Sequence, residues 1–261
     1  MTTLRHTKHF TSSILLWARA DQPRAASMAY WSGPHSRIIS ATPGLREYRQ
    51  VHLAENNPGR WPHADGLETL IPADRRIDGI AEVTHAHALA PIKGRAQTAL
   101  AFRDEVNVFR RTLYYGGAPY TSRWYHVAPG QPTRSRAVLY LRRRPGVHAP
   151  ALNKALYRQL VPALVREAAL TELRTQSFLP WSKKLWDTPN VAHDNPRDQR
   201  LHASLILGFP SDEEREAFFS QENAARLNPL LTPVVSAIHA YDVESTKTYV
   251  RDGVVLPVPE E

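Results

Sequence analysis

The sequence predicts an α+β fold in which a strand–helix–strand–strand–helix–strand unit occurs twice in succession. Three observations carry that expectation. Along 261 residues, strand-length runs with period-two alternation are interleaved with longer stretches of helical spacing, in the same order in both halves. Pro129-Gly130-Gln131-Pro132, the strongest linker candidate, separates the halves. Local echoes connect them: Arg75-Arg76-Ile77-Asp78-Gly79 leads into one third strand and Gln199-Arg200-Leu201-His202-Ala203 into the other, and Leu45-Arg46 and Leu173-Arg174 open the two second strands. The expected division is 1–132 for the first repeat and 133–261 for a second, degenerate one.

In the first half, residues 13–19 read as a strand closed by Asp21-Gln22-Pro23, and 25–40 as a helix closed by Pro43-Gly44. Residues 45–53 alternate with period two, and 77–85 supply a third strand after a polar loop. Helical spacing of Leu100, Val106 and Phe109 predicts a helix over 95–110. The aromatic stretch 114–125 reads as loop, with a fourth strand near 123–127. In the second half the expected elements are a strand over 136–141, a helix over 150–168 kinked at Pro162, and strands over 173–178 and 201–209. A helix over 212–226 capped by Ser211 and a last extended segment over 234–243 complete it. A βαββαβ unit covers one face of its sheet with helices and leaves the other bare. A second copy of the sheet would cover that face within one chain.

Composition narrows the chemistry. An apolar fraction of 42% with 22% charged residues suits a globular chain with a real core. The lack of cysteine excludes disulfides, thiolate nucleophiles and cysteine-ligated metal centres. The run Ile14-Leu15-Leu16-Trp17-Ala18 is too short to cross a bilayer or to form a signal core, so the expectation is a cytoplasmic protein without a membrane partner. A net charge of +8 raises nucleic-acid binding, but the arginines are scattered and no binding motif accompanies them. No Gly-x-Ser-x-Gly, Walker-type loop or Gly-x-Gly-x-x-Gly occurs, which removes serine-hydrolase, phosphate-loop and dinucleotide readings.

A family resemblance enters through Tyr30-Trp31 with His35, through Pro43-Gly44-Leu45-Arg46-Glu47-Tyr48 and Gln50-Val51-His52, and through Asp78-Gly79-Ile80-Ala81-Glu82 and Asp104-Glu105 with Asn107 and Phe109. Over roughly residues 13–127 this order resembles the EthD-like proteins. The segment Ser32-Gly33-Pro34-His35 departs from the family habit of placing proline just after the histidine, and the second half lacks the tyrosine–tryptophan–histidine cluster. What the resemblance implies is the ferredoxin-like fold, with two repeats packing into an intramolecular dimeric α/β barrel. It further implies a cofactor-independent lyase or isomerase of dehydration, decarboxylation or cyclisation type, acting on a small apolar or aromatic molecule. Alternatives are an oxidative enzyme of the same fold, haem-dependent or a cofactor-free monooxygenase, and a non-catalytic binding protein. A homodimer is compatible with the fold.

Histidine moves protons near neutral pH. His52 is the first catalytic candidate, since Tyr48, Gln50 and His52 share one face of their strand. His35 at a helix end is the second, expected to meet His52 at a pocket mouth. Trp17, Tyr30, Trp31, Tyr48 and Gln50 are expected to line the substrate pocket, with Trp181 and Trp186 of Pro180-Trp181-Ser182-Lys183-Lys184-Leu185-Trp186 closing over an aromatic ligand. His85 and His87 could share a face and raise a metal site, but a strand-end surface pair is the preferred reading and no metal is expected. His193 and His202 could add polar groups to a second pocket.

Overall fold

A computed structural model describes residues 4–257. The first half runs through β1 (His6–Ala18), α1 (Arg24–Tyr30), a π-helical turn (Trp31–His35), α2 (Ser36–Ser40), β2 (Leu45–Leu53) and β3 (Gly79–His85). It continues with α3 (Ala90–Lys93), α4 (Arg95–Glu105), β4 (Phe109–Gly116) and β5 (Ser122–Tyr125). The second half runs through β6 (Ser135–Arg143), α5 (Ala149–Ala155), another π-helical turn (Leu156–Leu160), α6 (Val161–Glu167), β7 (Glu172–Ser177) and β8 (Ala203–Phe209). After α7 (Asp212–Phe218) and α8 (Gln221–Leu231) come β9 (Val235–Arg251) and the short β10 (Val254–Val255).

Each half has the ferredoxin-like strand order. β4 pairs with β1, β1 with β3 and β3 with β2, all antiparallel; β9, β6, β8 and β7 repeat that order. The barrel closes because the fourth strand of each half outgrows its own sheet. Residues 235–242 of β9 pair with β6, while residues 243–250 cross over to pair with β2. In the other half, β5 resumes the line of β4 after a break, pairing with the start of β1 on one side and with β7 on the other. One continuous antiparallel barrel results, with no open edge along the ring.

Period-two alternation sorts the side chains into three apolar regions. Leu15, Trp17, Val51, Leu53, Ile80, Tyr140 and Tyr241 meet inside the barrel. Ile14, Leu16, Tyr48 and Ala81 face outward against Met28 and Trp31 of the first helical layer. The second sheet packs its outer face, Leu139, Leu141, Leu205 and Leu207 among others, against α5, α6 and α8. One end of the barrel interior is ionic. Buried Arg49 pairs with Glu82 at 2.9 Å and Glu172 at 2.6 Å, and Arg174 joins Glu47, Glu82 and Glu172. These guanidinium groups outweigh the cost of burying Glu172 and Glu47, holding both carboxyls below the usual range.

Several boundaries differ from expectation: the last strand, expected to end at 243, runs on to Arg251, and the helix expected over 25–40 is interrupted by the π turn. The helix predicted over 95–110 ends at Glu105, and β4 starts within its expected span and runs into the stretch read as loop. Arg110-Arg111-Thr112 breaks any apolar alternation there, and only pairing with β1 makes the segment a strand. β1 begins at His6 because its polar first turns pair with β5. The helix predicted over 212–226 is two helices: the Ser211 hydroxyl accepts from Glu214 N–H as expected, and the Ser220 hydroxyl accepts from Asn223 N–H to start α8. Helix 150–168 carries its irregularity as a π turn just before Pro162.

Candidate active-site cavity

On β3, Gly79, Ala81, Val83 and His85 share the face turned toward the helices. Trp31 fills the space above Gly79 so closely that a Cβ there would lie 2.4 Å from the indole. The π turn that contains Trp31 thus drives its ring onto the sheet. Farther along the strand no large side chain descends, and a cavity of about 740 Å³ opens between the first sheet and α4. Phe10, Ile14, Val83 and Phe102 supply apolar wall, and Ser12, His85 and Tyr114 supply polar groups.

His85 is the imidazole that lines this space. Its Nδ1 is buried without a hydrogen-bond partner, and its ring lies 5.0 Å from that of Phe10. Burial, with a smaller contribution from His87, lowers its pKa to about 4, so the ring is neutral at pH 7. The Tyr114 and Ser12 hydroxyls lie 2.7 Å apart, and burial pushes the Tyr114 phenol up. Arg95 and Lys184, both exposed, stand at the rim.

A segment of the second half closes the cavity. Trp186 stacks on Tyr114 with ring centroids 5.2 Å apart and meets Phe102 edge-on at 4.5 Å. Its indole N–H donates to Glu105 at 2.9 Å; the Thr188 and Thr112 hydroxyls also donate to that buried carboxylate. Burial nevertheless raises the Glu105 pKa.

Of the residues expected at the site, only Trp186 lines this cavity. His52, 6% exposed, stacks on Trp31 at 4.6 Å, with Nε2 at 3.1 Å from Gln50 Oε1; burial drops its pKa to about 3. Tyr48, Gln50 and His52 do share a face, as expected, but the π-helical turn that carries Trp31 and Ser32 covers it. Gln50 donates to the Tyr48 hydroxyl and to the Trp31 carbonyl, and accepts from Tyr249. His35 is bonded through Nδ1 to Asp104 at 2.8 Å, and Tyr30 donates to the same carboxylate at 2.9 Å. The His35 bond is the main reason the Asp104 pKa falls to about 2. The two histidines flank Trp31 and Phe109 rather than touching each other. Trp17 lies inside the barrel, and Trp181 packs beside that interior with the Arg200 guanidinium 5.1 Å from its ring.

β3 ends at His85, so His87 follows in a turn and the two do not extend one strand face. Among the described residues, no three His, Asp or Glu side chains gather as a metal-holding group. His193 bonds to Thr188 and to the Thr112 carbonyl, and His202 Nδ1 accepts from Arg143 N–H; both positions are structural. The sequence reads His85 as one of a strand-end surface pair, with a metal site as the alternative, and not as a cavity residue. Its period-two kinship with Gly79, Ala81 and Val83 was the available signal.

No family model matches the sequence, and no curated protein does. Solved structures do. One protein described as anthrone oxidase-like superposes with a TM-score of 0.56 at 11% identity, over 92% of this chain and 93% of its own. A protein of Fusobacterium nucleatum subsp. nucleatum, provisionally named a monooxygenase, superposes with a TM-score of 0.55 at 5% identity, over 96% and 98%. The chain shares with them the fold of the dimeric α/β-barrel proteins. Among the described residues no helix is long and apolar enough to cross a membrane.

Proposed function

We propose that the chain is an oxidative enzyme for a small aromatic molecule, bound in the first-repeat cavity with His85 as the proton acceptor. The observation that carries this reading is a neutral, unpartnered imidazole in an apolar cavity large enough for a ligand of two or three fused rings. The wall of Phe10, Phe102 and Trp186 suits a flat apolar body, and Tyr114 with Ser12 suits a carbonyl or hydroxyl substituent. The names of the two similarly folded proteins point the same way.

His85 is a weak base, so its substrate must carry an acidic proton: a phenol, or a methylene activated by flanking rings or carbonyls. Removal of that proton leaves an electron-rich carbanion able to react with dioxygen. The balanced outcome is R₂CH₂ + O₂ → R₂C=O + H₂O, in which the methylene carbon is oxidised and dioxygen reduced. His85 takes the first proton, a C–O bond forms between the carbanion and dioxygen, and His85 returns the proton to the peroxide; loss of the second C–H proton then breaks the O–O bond, and that proton leaves with the released hydroxide as water. Lyase or isomerase chemistry would use the same imidazole without consuming dioxygen. In this reading His52 and His35 position Trp31 and the π-helical turn instead of touching substrate. We also place the repeat boundary between 132 and 133 and the lineage among EthD-like proteins.

Oxygen uptake with a panel of hydroxylated polycyclic aromatics tests the proposal. His85→Gln is expected to lower the rate by about 100-fold or more, while His52→Phe retains it. Undiminished uptake in His85→Gln would sink the assignment. Deuterium exchange into substrate without uptake would move the chain to the lyase or isomerase reading. A Soret band in the purified protein would reassign His85 to haem ligation.

A further inference from the structure

The chemistry proposed for the first-repeat cavity uses His85, Tyr114 and Ser12 and leaves its charged lining residues without a role. Arg95 and Lys184 both line the space, both are exposed, and no aspartate or glutamate lines it with them. They come from distant parts of the chain. Arg95 is the first residue of α4, whose first turn holds no acidic side chain, and Lys184 lies in the turn Lys183–Leu185 that leads into Trp186.

Neither cation is already matched. Among the described residues, Arg95 and Lys184 form no ion pair and no side-chain hydrogen bond. Lys183 shows the contrast: it pairs with Asp187 at 3.4 Å, both side chains being exposed, and it does not line the cavity. The acidic residues of the same two segments are engaged with other partners. Asp104 is bonded to His35 and Tyr30, Glu105 accepts from Trp186, Thr188 and Thr112, and Asp187 is held by Lys183.

The remaining polar lining is neutral. The Ser12 and Tyr114 hydroxyls bond each other, the Thr98 hydroxyl donates to the Gly94 carbonyl at 3.1 Å, Thr42 adds one more hydroxyl, and the His85 ring is uncharged at pH 7. A ligand filling the cavity therefore meets an apolar wall and, toward solvent, two unpaired positive charges. A carboxylate at the rim keeps part of its hydration, so the desolvation cost that weakens buried ion pairs is small there. Deeper in the cavity it would face only a neutral imidazole and hydroxyls, which do not offset the burial of a charge. The anionic end of a ligand is thus directed to solvent and its uncharged rings to the wall.

We propose that the substrate is an aromatic acid whose carboxylate is held at the cavity mouth by Lys184 and Arg95. This rests on the reading of the cavity as the substrate site, and narrows the substrate class from flat aromatics in general to anionic ones.

The test is a calorimetric titration with anthracenecarboxylate and with its uncharged carboxamide, which share their rings and differ in charge. At low salt the acid is expected to bind about tenfold more tightly, and the margin should shrink at high salt. Lys184→Gln and Arg95→Gln should each weaken the acid about threefold relative to the amide, as expected for partly hydrated ion pairs, and Lys184→Glu should remove the preference. Lys183→Gln controls for the +8 charge of the whole chain and should change neither affinity. Equal binding of acid and amide, or the same loss in Lys183→Gln as in Lys184→Gln, overturns the proposal and leaves the cavity as a site for neutral aromatics. Binding of neither compound removes the substrate site itself, and this inference with it.

Discussion

Trp186 is the joint between the halves at the cavity, and its replacement separates two contributions. Trp186→Phe keeps the stack on Tyr114 and the edge contact with Phe102 but deletes the donor to Glu105. Glu105 is only 2% exposed, and the Thr188 and Thr112 hydroxyls remain as its donors. A hydrogen bond to a buried charged group contributes about 1.5–3 kcal/mol. For a chain of this length, a loss of about 2 kcal/mol lowers the melting temperature by roughly 4–8 °C. The pH dependence has a definite sign. The Glu105 pKa is already raised by burial, and losing a donor raises it further. A carboxyl with a raised folded-state pKa gains stability as pH falls through that pKa, so the deficit of Trp186→Phe should narrow on acidification. Trp186→Ala loses the two ring contacts as well, each contributing about 0.5–1.5 kcal/mol, and opens the cavity. The assay is urea unfolding at pH 8 and pH 5.5, paired with fluorescence titration of a flat aromatic ligand. The phenylalanine variant should bind near normally and the alanine variant at least tenfold more weakly. If Trp186→Phe matches wild-type stability at both pH values, or Trp186→Ala binds as tightly as wild type, the joint has been misassigned.

Other expectations concern acid stability and packing. His52 and His85 have folded-state pKa values of about 3 and about 4, so between pH 6.5 and those values the unfolded chain takes up protons first and stability falls with pH. Each histidine adds a slope approaching about 1.4 kcal/mol per pH unit, less for the partly exposed His85, and His52→Phe should flatten the urea-midpoint profile below pH 6.5. An unchanged slope would mean that His52 is solvated in the folded protein. Gly79→Ala should cost about 1–3 kcal/mol, because the new methyl meets the fully buried Trp31 ring; a neutral effect in urea unfolding would show that the π turn carrying Trp31 can lift from the sheet.

The sequence by itself determined the order and type of most elements. β2 matches its expected span of 45–53 because its two faces differ in chemistry along the chain, a local signature: Tyr48, Gln50 and His52 on one side and Arg49, Val51 and Leu53 on the other, although both are buried. The Ser211 cap was legible for the same reason, being a contact three residues long. β4 was not, since its strand character lies in hydrogen bonds to β1 almost a hundred residues away. The site was only half legible. Sharing of one face by Tyr48, Gln50 and His52 follows from period two, but whether that face meets a ligand or a helix depends on where Trp31 comes down. A π turn at Trp31–His35 and the missing side chain at Gly79 set that position together, filling the gap over His52 and leaving it open over His85. Local pattern thus assigns a residue to a face; the packing of a distant element decides whether that face encloses a ring or a cavity.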